Sequence, residues 1–142
     1  MGLGIEAVSL TPLRKIHHEK GDIYHALKRS DDGFVDFGEA YFSCVNHGEI
    51  KGWKKHETMT LNVVVPVGAI KFVVYDDKTG SFFEAVLSQE NYQRLTVPPK
   101  LWMAFCGVGT GMNMLLNIAS IEHNPHESEN RHWEAIPYDW TL

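Results

Sequence analysis

The chain has 142 residues, 44% of them hydrophobic and 22% charged, with a formal net charge of −5. That length fits one domain, residues 1–142, with a core large enough to need no staples. The negative balance excludes general attraction to nucleic acid or to an anionic membrane, and no apolar run approaches the ~20 residues of a transmembrane helix. The N-terminal MGLGIEAVSL lacks the basic-then-apolar order of a secretion signal, and Glu6 stands where lipidation at Gly2 needs Ser or Thr. Cys44 and Cys106 have no metal-ligand spacing and read as two buried thiols in a reducing cytoplasm.

Turn signals recur at short intervals, from Lys20-Gly21-Asp22 and Ser30-Asp31-Asp32-Gly33 to Gly107-Val108-Gly109. Between them the sequence predicts strands at Gly38–Val45, Lys51–Lys55, Thr58–Val65, Ala69–Tyr75, Phe82–Leu87, Gln93–Val97, Met103–Cys106 and Met112–Ile118. Many short strands at regular spacing indicate an all-β sandwich or barrel. Ser88–Tyr92 reads as a single helical turn capped by Ser88. The tail from Glu122 to Leu142 reads as an irregular wrap, ending in the bulky Ile136-Pro137-Tyr138-Asp139-Trp140, which should dock on the body.

The stretch from Gly48 to Asp77 carries the chemistry. Lys54, His56, Thr58, Thr60 and Asn62 share one parity; Met59, Leu61, Val63 and Val65 take the other. Alternate strand residues point to opposite faces. The polar row is therefore either an exposed sheet face or the lining of a barrel that holds a polar ligand. Trp53 beside Lys54 suits a sugar or nucleotide pocket, and buried Asn62 would demand hydrogen-bond partners. Trp102 either feeds a core strand after the Pro98-Pro99 turn or stacks on a base or sugar at the barrel mouth. Asn117 and His123 both face the pocket if the final strand lines it, and a histidine suits proton transfer near neutral pH. The eight histidines lack the spacing of a structural zinc site, and Lys54 stands where a metal-binding cupin would place a ligand, so no metal is expected.

Five segments, in order, resemble the dTDP-4-dehydrorhamnose 3,5-epimerase family of sugar-nucleotide cupins. Lys20-Gly21-Asp22 is similar to its early Arg-Gly turn, and Gly48 through His56 to its Gly-x-x-Arg-Gly-Leu-His-x-Gln block. Gly68 through Asp77, Ser88-Gln89-Glu90-Asn91 through Pro98-Pro99, and Ile136 through Trp140 resemble three later segments. The resemblance implies a single jelly-roll cupin barrel, a homodimer, a nucleotide-linked 4-keto-6-deoxyhexose as substrate, and no metal or organic cofactor. It also implies enolate chemistry, with a histidine base, a cation at the keto oxygen and a tyrosine that returns the proton.

The family's basic histidine falls at Lys54, its tyrosine at His123, its second histidine at Met103, and an earlier glutamine near Glu39, which shares a face with Tyr41 and Ser43. Lys54 is a base only where burial or the adjacent Lys55 and His56 favour a neutral amine. Otherwise it is the oxyanion or phosphate partner while His56 or His123 moves the proton. The expected catalytic set is thus Lys54, His123 and His56, with Glu39, Tyr41, Lys51, Asn62, Trp102 and Asn117 binding substrate. A sugar 3,4-ketoisomerase and a non-catalytic sugar-nucleotide-binding cupin are the alternatives.

Overall fold

The computed structural model describes residues 4–141, so Gly2 lies outside the described residues. It is all-β: β1 (Ser9–Pro12), β2 (Lys15–Ile16), β3 (Ile23–Tyr24), β4 (Glu39–Cys44), β5 (Ile50–His56), β6 (Leu61–Val67), β7 (Ala69–Asp76), β8 (Ser81–Ser88), β9 (Gln93–Val97), β10 (Trp102–Gly107), β11 (Met114–Ala119) and β12 (Ser128–Arg131). One five-stranded sheet runs β1-β9-β6-β11-β4 and the other β12-β5-β10-β7-β8, with β2 and β3 forming a separate hairpin. Every pairing within these sheets is antiparallel.

Strand alternation builds the core. Leu61, Val63 and Val65 from β6, Ile70, Phe72 and Val74 from β7, and Leu95 and Leu115 meet between the two sheets. The second sheet is buried on its other face as well. There Val73, Trp102, Ala104 and Cys106 pack with Trp53 under Ile136 and Trp140 of the tail. Burial on both faces explains why β10, WMAFCG, shows no polar alternation.

The tail therefore docks through Ile136 and Trp140 as expected, but it is not irregular. Residues 128–131 form an edge strand paired with β5, which hydrophobic patterning cannot detect because Ser-Glu-Asn-Arg has no apolar member. Ser88–Tyr92 is not helical either. The Asn91 N–H does donate to Ser88 Oγ at 3.1 Å, yet the residues form a turn joining β8 to β9. β6 starts at Leu61, not Thr58, because the N–H groups of residues 58–60 go to the Glu127 and Ser120 side chains and not to a neighbouring strand. Cys106 is buried, and burial pushes its thiol up; Cys44 lies on edge strand β4 and is exposed.

A bulge in β5 sets the site. Met103 pairs with Lys54 and Phe105 with Lys51, so three steps on β5 answer two on β10. The extra residue lets Lys51 and Lys54 share a face while Trp53 turns to the tail. Trp53 is 1% exposed, and its Nε1 donates to the Trp133 carbonyl at 3.0 Å. Gly52 leaves room for the tail to cross: a Cβ there would lie 2.8 Å from the Arg131 carbonyl oxygen and 2.9 Å from the Trp133 nitrogen. Gly52→Ala should therefore lower stability by about 1–3 kcal/mol. Urea unfolding followed by tryptophan fluorescence checks this, with the mutant midpoint shifted down.

Candidate active site

A cleft of about 210 Å³ opens between the sheets. Tyr41, Ser43, Leu61, Val63, Leu115 and Asn117 of the first sheet form one wall; Lys51, Gly52, Lys54, His56, Met103 and Phe105 of the second form the other. The floor is apolar and the polar groups are few and convergent, as in small-molecule sites.

His56 is 8% exposed and is the cleft's buried imidazole. Its Nδ1 is bonded to Glu127 Oε1. Glu127 Oε2 accepts from the Glu57 and Thr58 N–H groups, each at 3.1 Å, from Met59 N–H at 3.4 Å and from Thr58 Oγ at 3.3 Å. Burial pushes the Glu127 carboxyl up, but the His56 bond and the Thr58 and Met59 N–H groups outweigh it and hold it below the ordinary carboxylate value. The carboxylate fixes the His56 ring with Nδ1 as donor and leaves Nε2 as the nitrogen that can take a proton. Glu127 reaches this place on a 3₁₀ turn, Pro125–Glu127, whose N-cap Asn124 accepts from the His126 N–H at 3.0 Å.

Lys54 lines the cleft beside His56, and Lys51 Nζ bridges the walls by donating to Ser43 Oγ at 3.2 Å. On the facing wall Asn117 Nδ2 donates to Tyr41 Oη at 3.0 Å. The Asn117 Oδ1 atom is buried and meets no donor among the described residues.

Five of the nine candidates thus come together: Lys51, Lys54, His56, Tyr41 and Asn117. Four do not. Asn62 points to the opposite face of its sheet, because the polar row spans two sheets and is broken by the turn at 57–60. There it accepts from Arg94 Nε at 3.0 Å and Thr96 Oγ at 2.6 Å and donates to the Gly33 carbonyl at 2.9 Å. Trp102 is fully buried on the tail side, with the Lys55 and Arg131 cations both against its ring and its Nε1 donating to Asp77 Oδ2 at 3.1 Å. His123 is exposed and outside the cleft lining; its backbone N–H donates to Glu39 Oε1 at 2.6 Å, so both serve the loop after β11. Glu127 was missed by sequence reasoning. Its signal was Asn124-Pro125-x-Glu127, an N-cap, a proline at the first turn and an acid behind it.

No protein-family profile matches the chain. A dTDP sugar isomerase from Desulfovibrio desulfuricans is 36% identical and superimposes with a TM-score of 0.91, covering 95% of this chain and 91% of that one. A probable low-salt glycan biosynthesis epimerase of Haloferax volcanii is 25% identical over 95% of this chain and 89% of its own length. The dTDP-6-deoxy-D-glucose-3,5-epimerase of Legionella pneumophila, in complex with dTDP-4-keto-L-rhamnose, shares the fold at a TM-score of 0.83 and 20% identity, over 100% of this chain and 82% of its own.

Because folding lowers the Glu127 pKa below its ordinary value of about 4.5, ionised Glu127 stabilises the fold fully above that value. This stabilisation is lost as pH falls through the lower folded-state value. Glu127→Gln should cost about 1–3 kcal/mol at neutral pH and flatten the loss below pH ~4.5. Denaturant midpoints measured from pH 3 to 7 check both.

Proposed function

The chain belongs to the dTDP-4-dehydrorhamnose 3,5-epimerase family of sugar-nucleotide isomerases, and from that premise we propose that it isomerises or epimerises a nucleotide-linked 4-keto-6-deoxy sugar through an enolate, in polysaccharide or deoxysugar biosynthesis. The observation that carries this reading is the buried His56–Glu127 pair in the wall of a cleft lined by Lys54. A carbon acid next to a ketone needs a positioned base and a cation where the oxyanion develops. His56 Nε2 takes the proton, the C–H electron pair moves into the enolate, and Glu127 stabilises the imidazolium. Lys54 stabilises the enolate oxygen as a cation; its place in the cleft lining with His56 supports this role and leaves the proton to His56. Sites that enclose a drug-sized ligand measure roughly 300–1,000 Å³. This cleft of about 210 Å³ suits the sugar ring, with the nucleotide across the open side near Lys51.

Incubation with a dTDP-4-keto-6-deoxyhexose in deuterated water, followed by NMR of the ring protons, tests the reading. Exchange at C3 or C5 is expected, with His56→Asn slowing it by about 10²–10⁴-fold and Lys54→Ala by about 10²–10³-fold. His123→Ala should exchange close to the wild-type rate. No exchange with dTDP-, GDP-, CDP- or UDP-linked keto-sugars would overturn it.

The same proposal extends to a homodimer whose partner copy would sit on the outer face of the first sheet. Phe37 and Phe42 are 60% and 64% exposed there, beside Leu116 and Ile118 at the free edge made by β4. A contiguous apolar patch of this kind marks an interface. Light scattering should give a dimer for the wild type and a monomer for Phe42→Glu. The two free cysteines, with no disulfide, suit a reducing cytoplasm as the site of action.

A further inference from the structure

The C-terminal segment covers the second sheet with little backbone support. Residues 128–131 pair with β5, but from Glu134 onward no backbone N–H or C=O bonds a sheet among the described residues. The Glu134 N–H donates to His132 Nδ1 at 3.3 Å, the Ala135 N–H to the His132 carbonyl at 2.9 Å, and the Thr141 N–H to Asp139 Oδ1 at 3.0 Å, all within the segment. Side chains alone therefore hold residues 134–141 on the sheet. Ile136 and Trp140 are buried there, and Tyr138 packs against Phe82 and Trp140 with ring centroids 5.2 and 4.8 Å away. Lys71 Nζ lies 5.0 Å from the centre of the Tyr138 ring. The seat is imperfect, because Tyr138 Oη and Trp140 Nε1 are buried and meet no partner among the described residues. Water would satisfy both if the segment lifted, so each weakens the docking. Segments with few backbone bonds to the body open at a free energy below that of global unfolding.

What the segment covers matters to the cleft. Trp140 packs on Trp53 with ring centroids 5.9 Å apart, and Ile136 belongs to the same cluster. Trp53 is the residue that the β5 bulge turns outward while Lys51 and Lys54 line the cleft. We propose that residues 134–141 form a strap that lifts as a unit while both sheets stay folded, and that the docked strap, through Trp53, holds Lys54 in the cleft. The link to Lys54 rests on the enolate reading above; the lifting does not. With the strap down, Trp53 is clamped against its sheet, the bulge keeps one geometry, and Lys54 keeps its place at the developing oxyanion. With the strap up, Trp53 loses its cover and the bulge loses its side-chain anchor. Glu127 precedes β12 and lies outside the strap, so His56 stays held in both states. Lifting therefore withdraws the cation and leaves the base.

Hydrogen exchange of the full chain, followed by NMR, reads the lifting. The Trp53 indole N–H should exchange about 100-fold or more faster than the amides of β7, with little dependence on low urea. Tyr138→Phe removes only the unpartnered oxygen and should slow the indole exchange by about threefold to tenfold, whereas a hydroxyl that helped docking would make it faster. Trp140→Ala should speed it by about tenfold or more while the β7 amides keep their protection; Ile136→Val, a loss of one methyl, should speed it by about threefold and serves if Trp140→Ala unfolds. With dTDP-4-keto-6-deoxyglucose in deuterated water, Trp140→Ala should lose about tenfold in kcat for deuterium entry at the ring carbons. Trp140→Ala combined with Lys54→Ala should be no slower than Lys54→Ala alone, which general structural damage would not reproduce. A wild-type Trp53 indole as slow as the β7 amides, faster exchange in Tyr138→Phe, or full kcat in a Trp140→Ala whose strap lifts more often overturns the proposal and leaves the enolate reading standing. A wild type that takes up no deuterium in the sugar overturns the enolate reading and the Lys54 link with it, while the indole exchange still decides the lifting.

Discussion

A carboxylate with only 10% of its side chain exposed is costly unless every lone pair is used, and Glu127 meets that condition by ending one strand and delaying the next. One oxygen holds His56, the last residue of β5. The other collects the N–H groups of residues 57–59, which would otherwise seek a neighbouring strand. The turn between the sheets, the docking of the C-terminal segment and the orientation of the imidazole are therefore one arrangement. Removing the carboxylate would disturb all three, so stability and the proposed proton transfer are tied to the same atoms.

The β5 bulge is the second constraint. It divides one short strand between two tasks, sending Trp53 into the tail-side cluster and Lys51 and Lys54 into the cleft. The tail covers the outer face of the second sheet closely enough to require glycine at position 52. With both faces of that sheet packed, the lysines and His56 project from a well-supported wall, which suits the proposed catalysis because groups held in place need no reorganisation when charge develops. The cleft's chemistry is divided between walls in the same way. The cationic and imidazole groups stand on one sheet, and the phenol and carboxamide stand on the other.

The predicted strands, from Gly38–Val45 to Met112–Ile118, all have counterparts, because apolar alternation is what buries a sheet face. Patterning missed β1 and β12, which are short edge strands held by backbone bonds, and the two-residue strands β2 and β3, and it extended β6 into Thr58–Thr60, where side chains take the donors. The polar row was only half legible. Lys54 and His56 do line the cleft, but parity cannot be counted through a turn that joins two sheets, so Asn62 landed on the far face in the Arg94 network. Trp102 was misplaced for a related reason, since a tryptophan under a docking tail looks like one at a barrel mouth. Position matching to the family pointed to His123, whereas the base proposed here is His56, marked by its carboxylate partner 71 residues away. That pairing depends on long-range folding and leaves only the short Asn-Pro-x-Glu cue in the sequence.

In the proposed reaction His56, held by Glu127, faces the carbon that loses its proton. A crystal structure of the protein with a dTDP-linked 4-keto-6-deoxy sugar tests it most directly. His56 Nε2 is expected within about 3.5 Å of C3 or C5 of the sugar, with Lys54 Nζ in hydrogen-bond reach of the keto oxygen. A sugar ring seated against His123, with His56 touching no ring carbon, would contradict it.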